Sequence, residues 1–424
     1  MEKLFELFYE TSGVSTDTRK IKKDSLFIAL KGSNFNGNSF ASEAISQGSK
    51  FAIVDEIDYS DNKQIFYVQN SLLFLQSLAN YHRKKFNIPI IAITGSNGKT
   101  TSKELINCVL SKKYNTLCTI GNLNNHIGVP LTLLSLDKNH EIAIIEMGAN
   151  KPGDIQELVE IAEPNHGIIT NIGKAHLEGF KTLEGVIKTK TELFQFIEKN
   201  KGFLIYNSDD PIISDQCIHF TQKFSFGTNN KANVLGDLIE LNPYVVFGWK
   251  YNSHQSIKLQ TNLVGSYNFY NYLAAISFGI LFNVPTKQID DAISSYIPTN
   301  NRSQVLKTKN NILIIDCYNA NPSSMKCALE SFVANNQPNK MVILGDMLEL
   351  GNESLTEHKN ILNFCIEQDL PFLTVGSIFK EINLNGFKTI SELENYFTEN
   401  KVENKSILLK GSRGISLEKL IPNL

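Results

Sequence analysis

The chain carries no excess of charge. With 41 Lys and Arg against 43 Asp and Glu, its formal net charge is -2, so the basic footprint that draws nucleic acid or an anionic membrane surface is missing. The six cysteines, Cys108, Cys118, Cys217, Cys317, Cys327 and Cys365, include no CxxC pair and no metal-ligand spacing. That argues against a disulfide framework and suits small buried hydrophobes in a reducing compartment. No stretch is apolar enough for a bilayer, because the longest run, at 273–282, falls well short of the ~20 residues a span requires. The opening MEKLFELFYETSG is acidic and amphipathic and lacks the basic, apolar and small-residue segments of an export signal, so a cytoplasmic chain with no membrane partner is expected. There is no fixed-period repeat and no low-complexity tract beyond an enrichment in Asn and Lys. What is present is apolar material: 424 residues at 42% hydrophobic exceed one core of typical size and fill two or three domains.

Residues 1–87 begin with a short helix, followed by strand-like SLFIAL (25–30), KFAIVD (50–55) and QIFYVQ (64–69), with helical periodicity over 39–47 between them. A helix predicted over 71–86 stops ahead of Asn87-Ile88-Pro89, since proline disfavours helical backbone in the residue before it. This sets a first boundary after residue 87. The runs IPIIAIT (88–94), IAIIEM (142–147) and HGIITNI (166–172), with a helix predicted over 154–162, alternate as a largely parallel sheet does. Residues 221–264 read as antiparallel and 268–282 as a helix. A polar break at 298–301 opens a new alternation, NILIIDC, KMVILGDM, PFLTVG and SILLKG, the pattern of a Rossmann-like α/β domain. The expected fold is α/β in three domains, 1–87, 88–299 and 300–424, the central one a mononucleotide-binding domain with a mostly parallel sheet.

Thr94-Gly95-Ser96-Asn97-Gly98-Lys99-Thr100-Thr101 closes the apolar run at 88–94 and opens a helix. Backbone N–H groups and the positive end of the helix dipole then converge on one spot, which suits phosphate. Gly95 and Gly98 permit the tight turn, Lys99 reaches the terminal phosphates, and the Thr100 hydroxyl suits a bridging magnesium ion. The strict GxxxxGK[ST] pattern needs glycine at position 93 and meets Ile93, so only GxxGKT is present. An ordinary strand-to-helix turn is the competing explanation; the placement after an apolar strand favours the phosphate loop.

Gly95-Ser96-Asn97-Gly98-Lys99-Thr100-Thr101 resembles the compressed nucleotide loop of the Mur ligases, and further motifs follow in that family's order. They are Gly121-Asn122-Leu123-Asn124-Asn125-His126-Ile127-Gly128, Glu146-Met147-Gly148-Ala149-Asn150, Asn171-Ile172-Gly173-Lys174-Ala175-His176-Leu177-Glu178, Asp316-Cys317-Tyr318-Asn319-Ala320-Asn321-Pro322 and Leu344-Gly345-Asp346-Met347-Leu348-Glu349. The resemblance runs through nearly the whole chain. GNLNN, EMGAN and DxYNANP are similar to the branch that adds D-alanyl-D-alanine, and differ from the branch that adds the third residue. Ser15-Thr16-Asp17-Thr18-Arg19 resembles the uridine-site loop that these last two branches share, in a first domain that folylpolyglutamate synthetases lack.

The resemblance implies an ATP-dependent ligation of D-alanyl-D-alanine to UDP-N-acetylmuramoyl-tripeptide, both of them small molecules, by a chain that works as a monomer. A carboxylate acylates poorly, so such a ligase transfers the γ-phosphoryl group of ATP to it and lets an amine attack the acyl phosphate. The repulsion between carboxylate and triphosphate calls for two Mg2+ ions on oxygen-rich ligands. The resemblance gives catalytic roles to Lys99, Glu146, His176 and Lys190, and metal contacts to Thr100, Glu146, His176 and Lys190. It implies a carbamylated Lys190, although neighbouring Lys188 leaves the register open; carbamylation requires an uncharged amine and supplies carboxylate-like oxygens.

Beyond residues 95–101, ATP is expected on Asn268 and Asn271, which are one helical turn apart and face adenine, on Arg302 at the phosphates and on Asp316 at the ribose. Asn207 and Asp209 resemble a family turn near the nucleotide, and Tyr267 stands where relatives usually carry histidine. The UDP-linked substrate is assigned to Ser15, Asp17, Thr18, Arg19, Asn124 and Asn125. The dipeptide is assigned to Tyr318, Asn319, Asn321, Asp346, Lys410 and Arg413, with Glu349 nearby. Closure of the domains about linkers near 87 and 300 is expected to assemble the site. The rival readings are a Mur-type ligase with another acceptor, either third-residue-adding or folylpolyglutamate-like, and a phosphate-loop ATPase that drives a conformational switch.

Overall fold

The computed structural model describes residues 2–299 and 301–424; Asn300, the expected start of the third domain, and the Leu177 side chain lie outside the described residues. Three sheets carry an α/β fold. The first orders Val14–Ser15, Leu26–Ile28, Phe51–Val54 and Ile65–Tyr67 in parallel. Leu26, Phe27 and Ile28 are buried in succession, as expected of a strand covered on both faces. Phe27, Ala29, Ala41, Ala44, Ala52, Val54 and Ile65 form the small core there.

The central, mostly parallel sheet has nine strands in the order His254–Val264, Tyr244–Tyr251, Val234–Leu241, Lys223–Gly227, Phe203–Asn207, His166–Ile169, Ile90–Thr94, Ile142–Glu146 and Thr116–Cys118. Ile90–Thr94 and Ile142–Glu146 are buried at every position. The antiparallel expectation for 221–264 is corrected at its start. Lys223–Gly227 runs parallel to both Phe203–Asn207 and Val234–Leu241, and only the last three strands form a meander. The helix Pro211–Gln216 lies between the first two of these strands, and a crossover of that kind returns the chain in the same direction.

The third sheet orders Gln304–Lys307, Ile312–Asp316, Ser406–Lys410, Lys340–Gly345 and Phe372–Val375. All its pairings are parallel except the edge pair Gln304–Lys307 with Ile312–Asp316. Its two faces are packed separately, one around Met325, Leu329, Phe332 and Phe379, the other around Leu393, Phe397, Leu417 and Leu420. The edge strand was not anticipated, and the helix expected over 71–86 ends at Arg83. There Lys85 and Phe86 tighten into three-residue turns, while the Arg83 guanidinium donates to the carbonyls of Ala162 and Glu163.

By compactness the chain falls into two units: 1–92, 114–148 and 154–166 make one, and 93–113, 149–153 and 167–424 the other. Among the described residues no helix is long and apolar enough to cross a membrane, and all six cysteines are free.

Candidate active site

In the second unit the phosphate loop is held in a glycine-dependent, buttressed form. Gly95 has φ 146° and Gly98 φ 77°, conformations that L side chains avoid. Gly98 caps the helix Lys99–Leu110 in the left-handed region. A Cβ on Gly95 would lie 2.0 Å from Thr170 Oγ1, so glycine is required there on two counts. Thr170 Oγ1 and Asn171 Nδ2 donate to the Asn97 carbonyl at 2.6 and 2.9 Å, and Asn97 N donates to Asn171 Oδ1 at 3.0 Å. Ser96 Oγ donates to Gly173 O at 2.9 Å and accepts from Gly173 N at 3.0 Å. Lys99 Nζ folds back on the carbonyls of Gly95 and Ser96 at 2.7 and 3.2 Å, which puts a cation inside the curve of the loop. Thr100 and Thr101 are buried in the first helical turn.

The segment after Gly173 makes two contacts to carboxylates. Lys174 Nζ lies 2.8 Å from Glu357 Oε1, and His176 Nδ1 lies 2.6 Å from Glu349 Oε2. His176 has φ 51° and Glu349 φ 66°, so both side chains project from left-handed corners of the backbone. The hydrogen bond from His176 holds the Glu349 carboxyl below its usual range against the effect of burial. Lys190, on the helix Leu183–Lys199, is 1% exposed with Nζ 5.7 Å from the Phe180 ring centroid, whereas Lys188 is exposed. Only one of the two lysines is therefore turned inward.

The third-sheet residues divide into two groups. Asn321 Nδ2 donates to Asn97 Oδ1 at 2.7 Å while its own Oδ1 caps the helix Pro322–Ala334, so this DxYNANP residue meets the phosphate loop. The Arg302 guanidinium lies 3.8 Å, and that of Arg413 5.1 Å, from the Tyr318 ring centroid, with Arg302 Nε buried and without a hydrogen-bond partner among the described residues. Two cations thus lie beside one aromatic ring. Asn319 Oδ1 accepts from Ala320 N at 2.9 Å.

Asp346 and Lys410, by contrast, are turned inward. Asp346 is 1% exposed and accepts from Ile378 N and Phe379 N, both at 2.9 Å, satisfying the start of the helix Ser377–Ile382 as N-terminal carboxylates do. Lys410, 2% exposed, is committed to Asp316 Oδ2 at 2.7 Å. Both residues support the loops around them through these contacts. Asn268 and Asn271 are likewise buried at 1% and 6% exposure and are bonded to each other, to Ser303 and to Ser102. Asp209 Oδ2 accepts from Thr228 N and Oγ1 at 2.6 and 2.8 Å, and Asn207 Oδ1 from Asp209 N at 3.0 Å.

In the first unit, Glu146 ends its strand 1% exposed. Asn124 Nδ2 donates to its Oε1 at 2.8 Å and Glu146 N donates to Thr119 Oγ1 at 3.0 Å, so the GNLNN and EMGAN motifs meet. Asn125 Oδ1 accepts from Ile127 N and Gly128 N at 3.1 and 2.9 Å. Asp17 caps the short turn Thr18–Lys20 and takes a bidentate contact from Arg19 at 2.9 and 2.8 Å, which draws its carboxyl down to about 2. Ser15 Oγ donates to Asp17 O at 3.1 Å. Arg19 is fully open to solvent beside them.

Family models match most of the chain: the Mur ligase family catalytic domain at 10–84, the Mur ligase middle domain at 93–279 and the Mur ligase glutamate ligase domain at 301–413. The UDP-N-acetylmuramoyl-tripeptide–D-alanyl-D-alanine ligase of Buchnera aphidicola subsp. Baizongia pistaciae is 37% identical over 97% of this chain and 92% of its own length. The chain belongs to the Mur ligase family. The Bacillus subtilis ligase of the same name is 34% identical over 97% of this Mur ligase and 93% of its own length. A crystal structure of MurF from Acinetobacter baumannii has a TM-score of 0.88 at 29% identity, covering 99% of this chain and 97% of that one. MurF from Thermotoga maritima in complex with ADP, at 24% identity with a TM-score of 0.87, covers 99% and 97% and bears on the fold.

Sequence reasoning missed three participants in the geometry of this Mur ligase: Thr170, Glu357 and Ser303. Thr170 directly precedes the NIGKAHLE motif and ends a buried run, and a polar residue at such a strand end is the signal that marks it. Glu357 and Ser303 carry no local signal, because each works through a partner far away in sequence.

Proposed function

We propose that this Mur ligase joins D-alanyl-D-alanine to UDP-N-acetylmuramoyl-tripeptide at the expense of ATP and yields the pentapeptide precursor of peptidoglycan. One observation carries the reading above others. The glycine-dependent phosphate loop, braced by the NIGKAHLE segment and touched by Asn321 of DxYNANP, lies in a chain that is collinear with ligases of that name over 97% of its length.

In this reading the triphosphate lies on the amides of residues 95–101, with Lys99 at its terminal phosphates. The tripeptide carboxylate attacks the γ-phosphorus, ADP departs, and the acyl phosphate is attacked by the dipeptide amine, which releases phosphate and a proton as the amide forms. Arg302 and Arg413 supply positive charge beside Tyr318, Arg302 toward the phosphates and Arg413 toward the dipeptide carboxylate, with Asn319 and Asn321 as further dipeptide contacts. Asp316 orients the nucleotide from the strand end. Ser15, Asp17, Thr18 and Arg19 hold the uridine end of the precursor, with Asn124 and Asn125 along its course.

By resemblance to the Mur ligases, the Thr100 hydroxyl, the Glu146 carboxylate, the His176 imidazole and a carbamate on Lys190 would hold magnesium. When bound, two such ions neutralise charge between the phosphates and the carboxylate. The Asn124 amide orients Glu146, and Glu349 holds His176. We infer a division into domains at 1–87, 88–299 and 300–424, a cytoplasmic location and a monomeric state.

The test is phosphate release from ATP by the purified chain with magnesium, UDP-N-acetylmuramoyl-tripeptide and D-alanyl-D-alanine, each omitted in turn, with the product followed by mass. Turnover that depends on both substrates and gives the pentapeptide supports the assignment. Turnover indifferent to either substrate, or a product only with another amine, overturns it.

A further inference from the structure

A continuous run of polar side chains leads from the phosphate-loop helix to the candidate residues of the third sheet. Ser102, 0% exposed, donates through Oγ to Asn271 Oδ1 at 2.9 Å, and Ser102 N bonds back to the Gly98 carbonyl at 2.8 Å. Asn271 Nδ2 donates to Asn268 Oδ1 at 2.8 Å, and Asn268 Nδ2 donates to Ser303 Oγ at 3.0 Å. Ser303 Oγ lies 2.9 Å from the Tyr267 hydroxyl, which faces the Asp316 carboxylate. Ser303 N donates to Asp316 Oδ1 at 3.4 Å. The Asp316 carboxylate receives Lys410 Nζ at 2.7 Å, and the same ammonium reaches the carbonyls of Asp316 and Asn319 at 3.4 Å.

The hydrogens of the two asparagine amides can be assigned in one direction only. Both amide oxygens of the asparagines accept, so both amide nitrogens donate. Ser303 Oγ accepts from Asn268 and shares a further hydrogen bond with the Tyr267 hydroxyl, in which either oxygen can donate. The run reaches the Asp316 carboxyl through Ser303 N, and in a buried setting each bond polarises the next. It also closes on itself, since the segment held by Lys410 continues to Asn321, whose amide returns to Asn97 in the phosphate loop at 2.7 Å.

Ser303 joins the helix Tyr267–Leu281 to the third sheet in this run, taking Asn268 on its hydroxyl and reaching Asp316 through its backbone amide. It is 3% exposed and has φ 50°, a backbone state that non-glycine residues adopt only when their surroundings impose it.

We propose that Ser303 is a positioning residue of the ligase: its hydroxyl ties the third-sheet segment 316–321 to the helix behind the phosphate loop, so that a nucleotide on the loop sets the geometry of that segment. The proposal rests on the ligase reading for its kinetic consequence, and its structural consequence is independent of that reading.

The experiment compares the full chain with its Ser303→Ala, Ser303→Gly and Tyr267→Phe variants. Ser303→Gly relieves the left-handed backbone while removing the hydroxyl, so it separates loss of the hydrogen bonds from strain. Two readouts are taken: ligase kinetics with both substrates, and amide hydrogen exchange over 312–321 with and without ATP and magnesium. Expected is a fall of about ten-fold in kcat for each serine variant, the size of losing one buried hydrogen bond to a neighbour left unpaired. The KM for ATP stays within about two-fold, because the loop itself is untouched. ATP slows exchange over 316–321 in the parent chain, and this protection is lost in the serine variants.

Variants that keep both kcat and the exchange response overturn the proposal, as do variants that melt earlier yet turn over normally per folded molecule. A parent chain that makes no pentapeptide, but whose exchange response disappears in the variants, sinks the ligase reading and leaves the positioning role standing. A parent that makes pentapeptide alongside unaffected variants does the reverse.

Discussion

Lys410 Nζ lies 2.7 Å from Asp316 Oδ2, in a pair whose side chains are 2% and 16% exposed. Removing one member of a buried pair leaves a desolvated charge behind, which costs more than the pair itself contributes. Lys410→Met is therefore expected to destabilise the chain by about 3 kcal/mol and to lower ligase activity. The double variant Lys410→Met with Asp316→Asn is expected to recover most of that stability while remaining impaired in turnover. Urea titrations of the three proteins decide it: equal midpoints for the single and double variants contradict the account of the pair.

The phosphate loop tolerates no side chain at Gly95. Its φ of 146° and the 2.0 Å approach of a Cβ to Thr170 Oγ1 mean that Gly95→Ala has to push the loop away from the Thr170–Gly173 brace. ATP turnover is expected to fall about a hundred-fold or more, as when a donor to a developing oxyanion is displaced. Normal nucleotide affinity in Gly95→Ala, measured by equilibrium titration, rules this out.

How much of this was legible in the sequence depends on how local the cause is. The strand, loop and helix of the phosphate site follow from an apolar run, two glycines and a helix start, all within 88–110, and the loop is where the motif put it. Asp346 ends a strand, and the partnership of its carboxylate with the backbone amides of Ile378 and Phe379 is one that no local pattern announces. The spacing of Asn268 and Asn271 correctly put them on one helical face, but which way that face turns is decided by Ser102 and Ser303, both distant in sequence. The strand Gln304–Lys307 is short and only half-buried at the sheet edge, so its period-two pattern is too weak to read.

Lys190 is the residue on which covalent chemistry is expected. It is 1% exposed on the helix Leu183–Lys199, with Lys188 exposed nearby, so carbon dioxide should find its amine and leave Lys188 unmodified. In protein equilibrated with carbon-13 bicarbonate, a single carbamate carbon resonance is expected. It should vanish in Lys190→Arg and persist in Lys188→Arg, and ligase activity should fall with it. A resonance that follows Lys188 moves the assignment; none at any bicarbonate concentration removes the carbamate from the mechanism.

His358 gives the chain a pH dependence of known sign. Its side chain is 0% exposed. Nε2 accepts from Met347 N at 2.9 Å and Nδ1 donates to Ser354 O at 2.7 Å, an arrangement that only the neutral ring with its hydrogen on Nδ1 satisfies. Burial pushes its pKa down, against the Ser354 carbonyl and the Asp346 and Glu357 carboxylates, which pull the other way. Above the ordinary histidine value of about 6.5, folded and unfolded chains are both neutral here and the residue adds no pH dependence. Below it, the unfolded chain takes up a proton that the folded chain resists, so stability falls as the pH falls. The difference in urea midpoint between the parent and His358→Gln should therefore shrink steadily from neutral pH toward acid, since other titrating groups cancel in that difference. A constant difference across the range means that His358 accepts its proton in the folded state and that the hydrogen bond from Met347 is dispensable.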